Sequence, residues 1–227
     1  MTATQAGTIG VIGGTGNLGA ALAKRWAVAG HTVLIGSREA GKAEEKAAQL
    51  NTEHGTKIQG YDNVSVAEQA DLIVLAVPFS SQTAILNEIK AVVQGKIVVD
   101  TTVPLKPPKV MRVQLPEAGS AAVIAQQLLG DDVRVVSSFH NVAAYKLATD
   151  ADVECDALVF GDDKEARQQV VNLANDAGLR GLHAGVLGNS AAAEAMTSIL
   201  IFMNRHYAVD GAGIQITGTL DMSCHEA

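Results

Sequence analysis

The stretch that most restricts how this chain can fold lies near its start. Thr8 to Ile12 is a short run rich in β-branched residues, and after Gly13 the glycines Gly14, Gly16 and Gly19 stand in the spacing G-x-G-x-x-G. Ala20 to Ala29 is rich in alanine and leucine and reads as a helix. A buried strand that turns through glycines directly into a helix leaves few alternatives. The first glycine permits the tight turn, the second lets backbone approach a pyrophosphate, and the third lets the helix pack close to the strand. The helix N-terminus then offers unpaired N–H groups and a positive dipole end to that pyrophosphate. A second strand, Thr32 to Ile35, arrives where a βαβ unit requires it. Gly14, Thr15, Gly16, Asn17, Leu18 and Gly19 are therefore read as a dinucleotide cradle.

The residues after that second strand select the dinucleotide. An NAD site places an acidic residue here to accept bonds from the ribose hydroxyls. This chain has Gly36-Ser37-Arg38 instead, with Lys42 one helical turn beyond Arg38. A hydroxyl, a guanidinium and an ammonium suit a 2′-phosphate, so the sequence favours NADP.

Strands and helices go on alternating. Glu39 to Glu53 reads as an exposed helix, Lys57 to Tyr61 as a short strand and Ser65 to Ala70 as a short helix. Asp71 to Val77 and Lys96 to Asp100 read as buried strands flanking a helix over Ser80 to Val93. That order means an α/β fold, a doubly wound (Rossmann) parallel sheet. A hydrophobic content of 48% with only 4% aromatic residues fits a sheet core of Ala, Val, Ile and Leu. Ligands of such sheets lie beyond the carboxyl ends of the strands, which puts Val77-Pro78 and Thr101 to Pro104 at the mouth of the site. Prolines rule out a regular helix through Leu105 to Pro116. Lys106, Lys109 and Arg112 in that loop either receive an anionic ligand tail or are simply solvated. Ser120 to Leu129 resumes a helix, and Val133 to Phe139 delivers His140 to the same edge. His140 either donates a proton or shapes the pocket, and positioning is the favoured reading.

Residues 1–139 are assigned to the nucleotide-binding domain, and 140–227 to a C-terminal part that completes the sheet and adds a small helical extension. There Asp156 to Gly161 reads as a strand, and Asp162 with Glu165 as a capping box for a helix reaching Ala177. Ser190 to Ala208 is a helix apolar almost all round, expected to be buried in the core or in a subunit interface, which makes a homodimer or higher homo-oligomer the expected state. A net charge of −7 argues against nucleic acid as a partner. No run spans a bilayer, so no membrane partner is expected. Cys155 and Cys224 form no ligand cluster, no metal-ligand spacing is present, and no signal peptide precedes the first strand, so a reducing cytoplasm is expected.

Taken together these residues resemble one family, the reductases that couple the 5-deazaflavin coenzyme F420 to NADP. The likeness lies in Ile12 to Gly19, Gly36-Ser37-Arg38 with Lys42, Ala76-Val77-Pro78, Val98-Val99-Asp100 with Val103-Pro104, and Ser120-Ala121-Ala122. It continues in Val135-Val136-Ser137 with His140, Gly188-Asn189-Ser190 with Glu194, and Gly211 to Ile214. The resemblance implies two small-molecule substrates, NADP and coenzyme F420, and a hydride passing between C4 of the nicotinamide and C5 of the deazaflavin. It carries the NADP contacts onto Thr15, Gly16, Asn17, Leu18, Ser37, Arg38 and Lys42, and the nicotinamide end onto Val77, Pro78, Val103 and Ala144. The deazaflavin contacts fall on His140, Val142 and Ala212. One departure stands out: the family often has proline where this chain has Ala143. Another NADPH-dependent reductase on the same fold, of the ferric or imine type, and a non-catalytic NADP-binding regulator are the competing readings.

Overall fold

The computed structural model describes residues 7–221; Cys224 and His225 lie outside the described residues. Its strands are β1 (Ile9–Ile12), β2 (Val33–Ser37), β3 (Gln59–Asp62), β4 (Leu72–Leu75), β5 (Ile97–Asp100), β6 (Arg134–Ser137), β7 (Asp156–Gly161) and β8 (Arg180–His183). The helices are α1 (Asn17–Val28), α2 (Ala40–His54), α3 (Asn63–Gln69), α4 (Phe79–Ile89), α5 (Ala121–Leu129), α6 (Ala144–Leu147), α7 (Lys164–Asp176) and α8 (Ser190–Tyr207). The eight strands form one sheet in the order β3-β2-β1-β4-β5-β6-β7-β8. The first six run parallel, as the alternation of strands and helices predicts.

Side chains alternate across the strands and fill two cores. Ile9, Val11, Val33, Ile35, Val74 and Val99 face α1, α2 and α7, whereas Ile12, Leu34, Ile73, Leu75 and Val98 face α3, α4 and α5. Both faces are covered, which is why the strands read as near-continuous apolar runs.

The sequence pattern does not reveal the reversal of β7. This strand runs antiparallel to β6 and overlaps it only through the pairs Val136–Gly161 and Ser137–Phe160. The connection from Ser138 to Cys155 contains only the four-residue α6. It has no crossover helix to carry the chain back across the sheet, so it stays at the carboxyl edge. β7 and β8, parallel to each other, therefore extend the sheet beyond the end of β6. The sheet is continuous across the 139/140 boundary.

One local expectation is corrected and one is narrowed. Asp163, not Asp162, caps α7, accepting from Ala166 N at 2.7 Å. Asp162 accepts instead from Leu187 N at 3.0 Å, a long-range bond that no local pattern shows. Within the single chain the helix Ser190–Tyr207 is buried on one face only, which leaves the subunit-interface alternative for the other. Ile199 (43%), Phe202 (48%) and Tyr207 (65%) stand exposed, while Glu194 and Ser198 are buried.

Candidate active site at the carboxyl edge

The glycines of the first turn divide their work differently from the expectation. Gly13, at φ +82°, takes the left-handed conformation of the tight turn. The N–H groups of Gly13 and Gly14 both donate to Gly36 O, at 3.1 and 3.2 Å, locking the turn onto β2. A Cβ on Gly14 would meet Ile35 Cβ at 2.5 Å, and one on Gly19 would meet Gly13 O at 2.4 Å. Close packing thus requires both. Gly16 is exposed, and a Cβ there would meet only Gly13 O at 3.3 Å. It marks the place where the backbone lies open to a ligand. α1 begins here with no side-chain cap and no acid in its first turn. An uncapped helix N-terminus over an open glycine fits a pyrophosphate.

From this loop a cleft runs across the strand ends, lined by Gly13, Thr15, Gly16, Ser37, Arg38, Asn63, Ala76, Val77, Pro78, Ser81 and Ile85. It brings together Thr15, Gly16, Ser37, Arg38, Val77 and Pro78 from the predicted set. Arg38 is exposed at one end, beside the half-buried Ser37. Lys42 Nζ is paired with Glu39 Oε1 at 2.6 Å on the exposed start of α2. Leu18 is half-buried and packs against the core. Asn17 faces a neighbouring depression that shares Thr15 and Gly16 with the cleft and continues to Ala144 and Tyr145. Asn63 escaped sequence reasoning. It is 2% exposed, heads α3, and its Oδ1 has no partner. Its place at the carboxyl end of a strand was the available signal.

His140 is delivered by a backbone reversal. Phe139 sits at φ +65°, a conformation rare for a bulky residue. Its ring packs edge-on against Trp26 at 5.9 Å, and tight burial holds it there. The next residue, His140, shares a 2.8 Å hydrogen bond with Ser137 Oγ. Burial pushes its imidazole down to about 3, so it is neutral at ordinary pH. α8 clamps this segment: Thr197 Oγ1 donates to His140 O (3.0 Å) and Asn141 Nδ2 to Ala193 O (2.9 Å). Val142 lies half-buried against the core, and Ala144 opens α6. Val103 is half-buried in the loop after β5, and Ala212 N donates to Asn204 Oδ1 at 2.7 Å.

Beneath the mouth lies a polar network that sequence reasoning did not assemble. Gln82 Nε2 donates to Asp100 Oδ2 (2.5 Å), Thr102 Oγ1 (2.9 Å) and Ala121 O (2.9 Å). The loop after β5 is thereby tied to α4, the helix that Pro78 precedes. Burial pushes the Asp100 carboxyl up to about 6. Glu194 of α8 accepts from Ala121 N (2.7 Å) and Ala122 N (3.2 Å) at the start of α5. Ser120 Oγ takes the next amide, Val123 N, at 3.1 Å, so the first three amides of that helix are satisfied.

This architecture is that of a dinucleotide-binding oxidoreductase, with a cleft across the ends of the first strands. The model of the family described as "NADP oxidoreductase coenzyme F420-dependent" matches residues 8–104. The F420-dependent NADP reductase of Methanocaldococcus jannaschii is 38% identical over 92% of this chain and 97% of its own length. That of Methanothermobacter marburgensis is 36% identical over the same shares. A solved structure from Arthrobacter sp. FB24, at 24% identity, covers 92% of this chain and 99% of its own with a TM-score of 0.78, and shares the fold. The chain belongs to the F420-dependent NADP reductase family.

Proposed function

We propose that the protein transfers a hydride between NADP(H) and coenzyme F420, C4 of the nicotinamide exchanging with C5 of the deazaflavin. The observation that carries this reading is the similarity to F420-dependent NADP reductases over 92% of the chain, far beyond the matched segment 8–104. The open Gly16 and uncapped α1 receive the pyrophosphate, and Ser37, Arg38 and Lys42 the 2′-phosphate. Val77, Pro78, Val103 and Ala144 border the nicotinamide. His140, Val142 and Ala212, from the part after residue 139, border the deazaflavin. The chemistry resides in the two substrates. The chain's task is to hold the two rings in contact and keep water out, and such positioning supplies about 7–11 kcal/mol of a barrier. The test is direct. Purified protein mixed with NADPH and oxidised coenzyme F420 bleaches the deazaflavin absorbance; NADPH oxidation that leaves the deazaflavin unchanged overturns the reading.

His140, neutral and bonded to Ser137, orients the ring rather than supplying a proton, which comes from solvent. His140→Asn is expected to slow hydride transfer by less than about 100-fold, the lower end for lost general acid–base catalysis. A single-turnover pH profile checks this. A larger loss, together with disappearance of a titration present in the wild type, assigns His140 to proton transfer.

The exposed apolar face of α8 supports a homodimer, because Ile199, Phe202 and Tyr207 otherwise stand in water. In a two-fold interface one substitution acts twice. Phe202→Asp is expected to yield a folded monomer, since burying the new carboxylate costs about 3–5 kcal/mol. Light scattering with far-UV circular dichroism reads the outcome, and a wild type already monomeric at micromolar concentration sinks the dimer. Among the described residues no helix is long and apolar enough to cross a membrane. A buried free thiol at Cys155 and the net charge of −7 support work in a reducing cytoplasm on small molecules rather than on nucleic acid.

A further inference from the structure

The loop after Val103-Pro104 carries charge that the nucleotide site does not use. Between the buried Asp100 and Glu117 the chain holds Lys106, Lys109 and Arg112 and no acidic residue. All three cations are exposed, and none forms an ion pair among the described residues. Lys109 N donates to Lys106 O and Arg112 N to Lys109 O, both at 3.0 Å. Two successive turns therefore gather the cations into one short length of surface.

The position of this loop points to its ligand. Ser198 Oγ donates to Arg112 O at 3.3 Å, while its neighbour Thr197 donates to His140 O at 3.0 Å. One turn of α8 thus holds the cationic loop beside the His140–Val142 wall. The 2′-phosphate end of the cleft, at Ser37 and Arg38, belongs to β2, three strand positions from β5. At ~4.8 Å per strand that is about 14 Å away. The cations therefore serve the partner that enters at the His140 wall.

We propose that Lys106, Lys109 and Arg112 bind the anionic side chain of the deazaflavin substrate, the phosphodiester and carboxylates that trail from its ring. This rests on the reaction proposed above. Exposed cations of this kind contribute little each, and they act together through charge attraction that salt screens.

The experiment compares three deazaflavins: the riboside without phosphate, the phospholactyl form without glutamates, and the oligoglutamyl coenzyme. The wild type is expected to favour the charged forms in kcat/KM, less so when salt is raised to about 0.5 M. Lys106→Ala/Lys109→Ala/Arg112→Ala is expected to lower the ratio of oligoglutamyl to riboside kcat/KM about tenfold, through KM. Lys109→Ala alone shifts it less, in the same direction, and serves if the triple variant folds poorly. A shift complete at the phospholactyl form identifies the phosphate as the bound group, and one that grows with glutamates identifies the carboxylates. Titration by deazaflavin fluorescence gives the same ratio as Kd values, without turnover. A ratio that the variants leave unchanged overturns the side-chain site, whereas binding without NADPH-dependent reduction overturns the reaction instead.

Discussion

Glu194→Ala is expected to lower the free energy of unfolding by about 3 kcal/mol at neutral pH. The carboxylate is 1% exposed and accepts from Ala121 N and Ala122 N, with Ser190 Oγ donating as well at 3.2 Å. Truncation leaves two buried amides at the start of α5 without acceptors. Glu194→Gln keeps one acceptor oxygen and the volume, and should cost less. Burial also holds this carboxyl up at about 7, against 4.5 in an unfolded chain. The folded protein then retains a proton that the unfolded chain has released between those values. The contribution is fully present below pH 4.5 and is lost as pH rises through 7. That share, on the order of 3 kcal/mol, is expected to vanish in the alanine variant. Urea unfolding of both proteins from acid to mildly alkaline pH measures it. An alanine variant as stable as wild type at low pH would remove Glu194 as the cap of α5.

Arg38→Ala is expected to raise the KM for NADPH about 10- to 100-fold with little change in kcat, as the loss of a charge-assisted bond worth about 1.5–3 kcal/mol. Arg38 follows β2 and Val77-Pro78 follow β4, two strand positions away, so Arg38 is expected to touch nothing that changes during hydride transfer. Ser37→Glu should go further, placing a carboxylate at the carboxyl end of β2. There it repels a 2′-phosphate and offers NADH an acceptor for its ribose hydroxyls. Kinetics with both nucleotides decide the matter. An NADPH-to-NADH preference that survives both substitutions would move the 2′-phosphate site elsewhere.

The first half of the fold is legible in the amino-acid order, because what specifies it is local. A strand, a glycine turn and a helix are adjacent in the chain, and Ser37 and Arg38 follow the next strand directly. Their order alone predicts the parallel sheet and its carboxyl edge. Even there, tertiary contact reassigned the glycines. Only the approach of Gly36 and Ile35 shows that Gly13 makes the turn and Gly14 the close packing. The remainder needed the fold. The reversal of β7 follows from a connection too poor in helix to cross the sheet, which periodicity does not register. The helix over 190–208 read as buried in the core or in a subunit interface, and only the fold divides its surface: one face meets Ala121, His140 and Arg112 through polar groups, and the other is open in the single chain. Glu194 and Ala121, and Gln82 and Asp100, lie 73 and 18 residues apart. A hydrogen bond across such separations leaves no spacing in the sequence, because it depends on where the sheet brings the chain back.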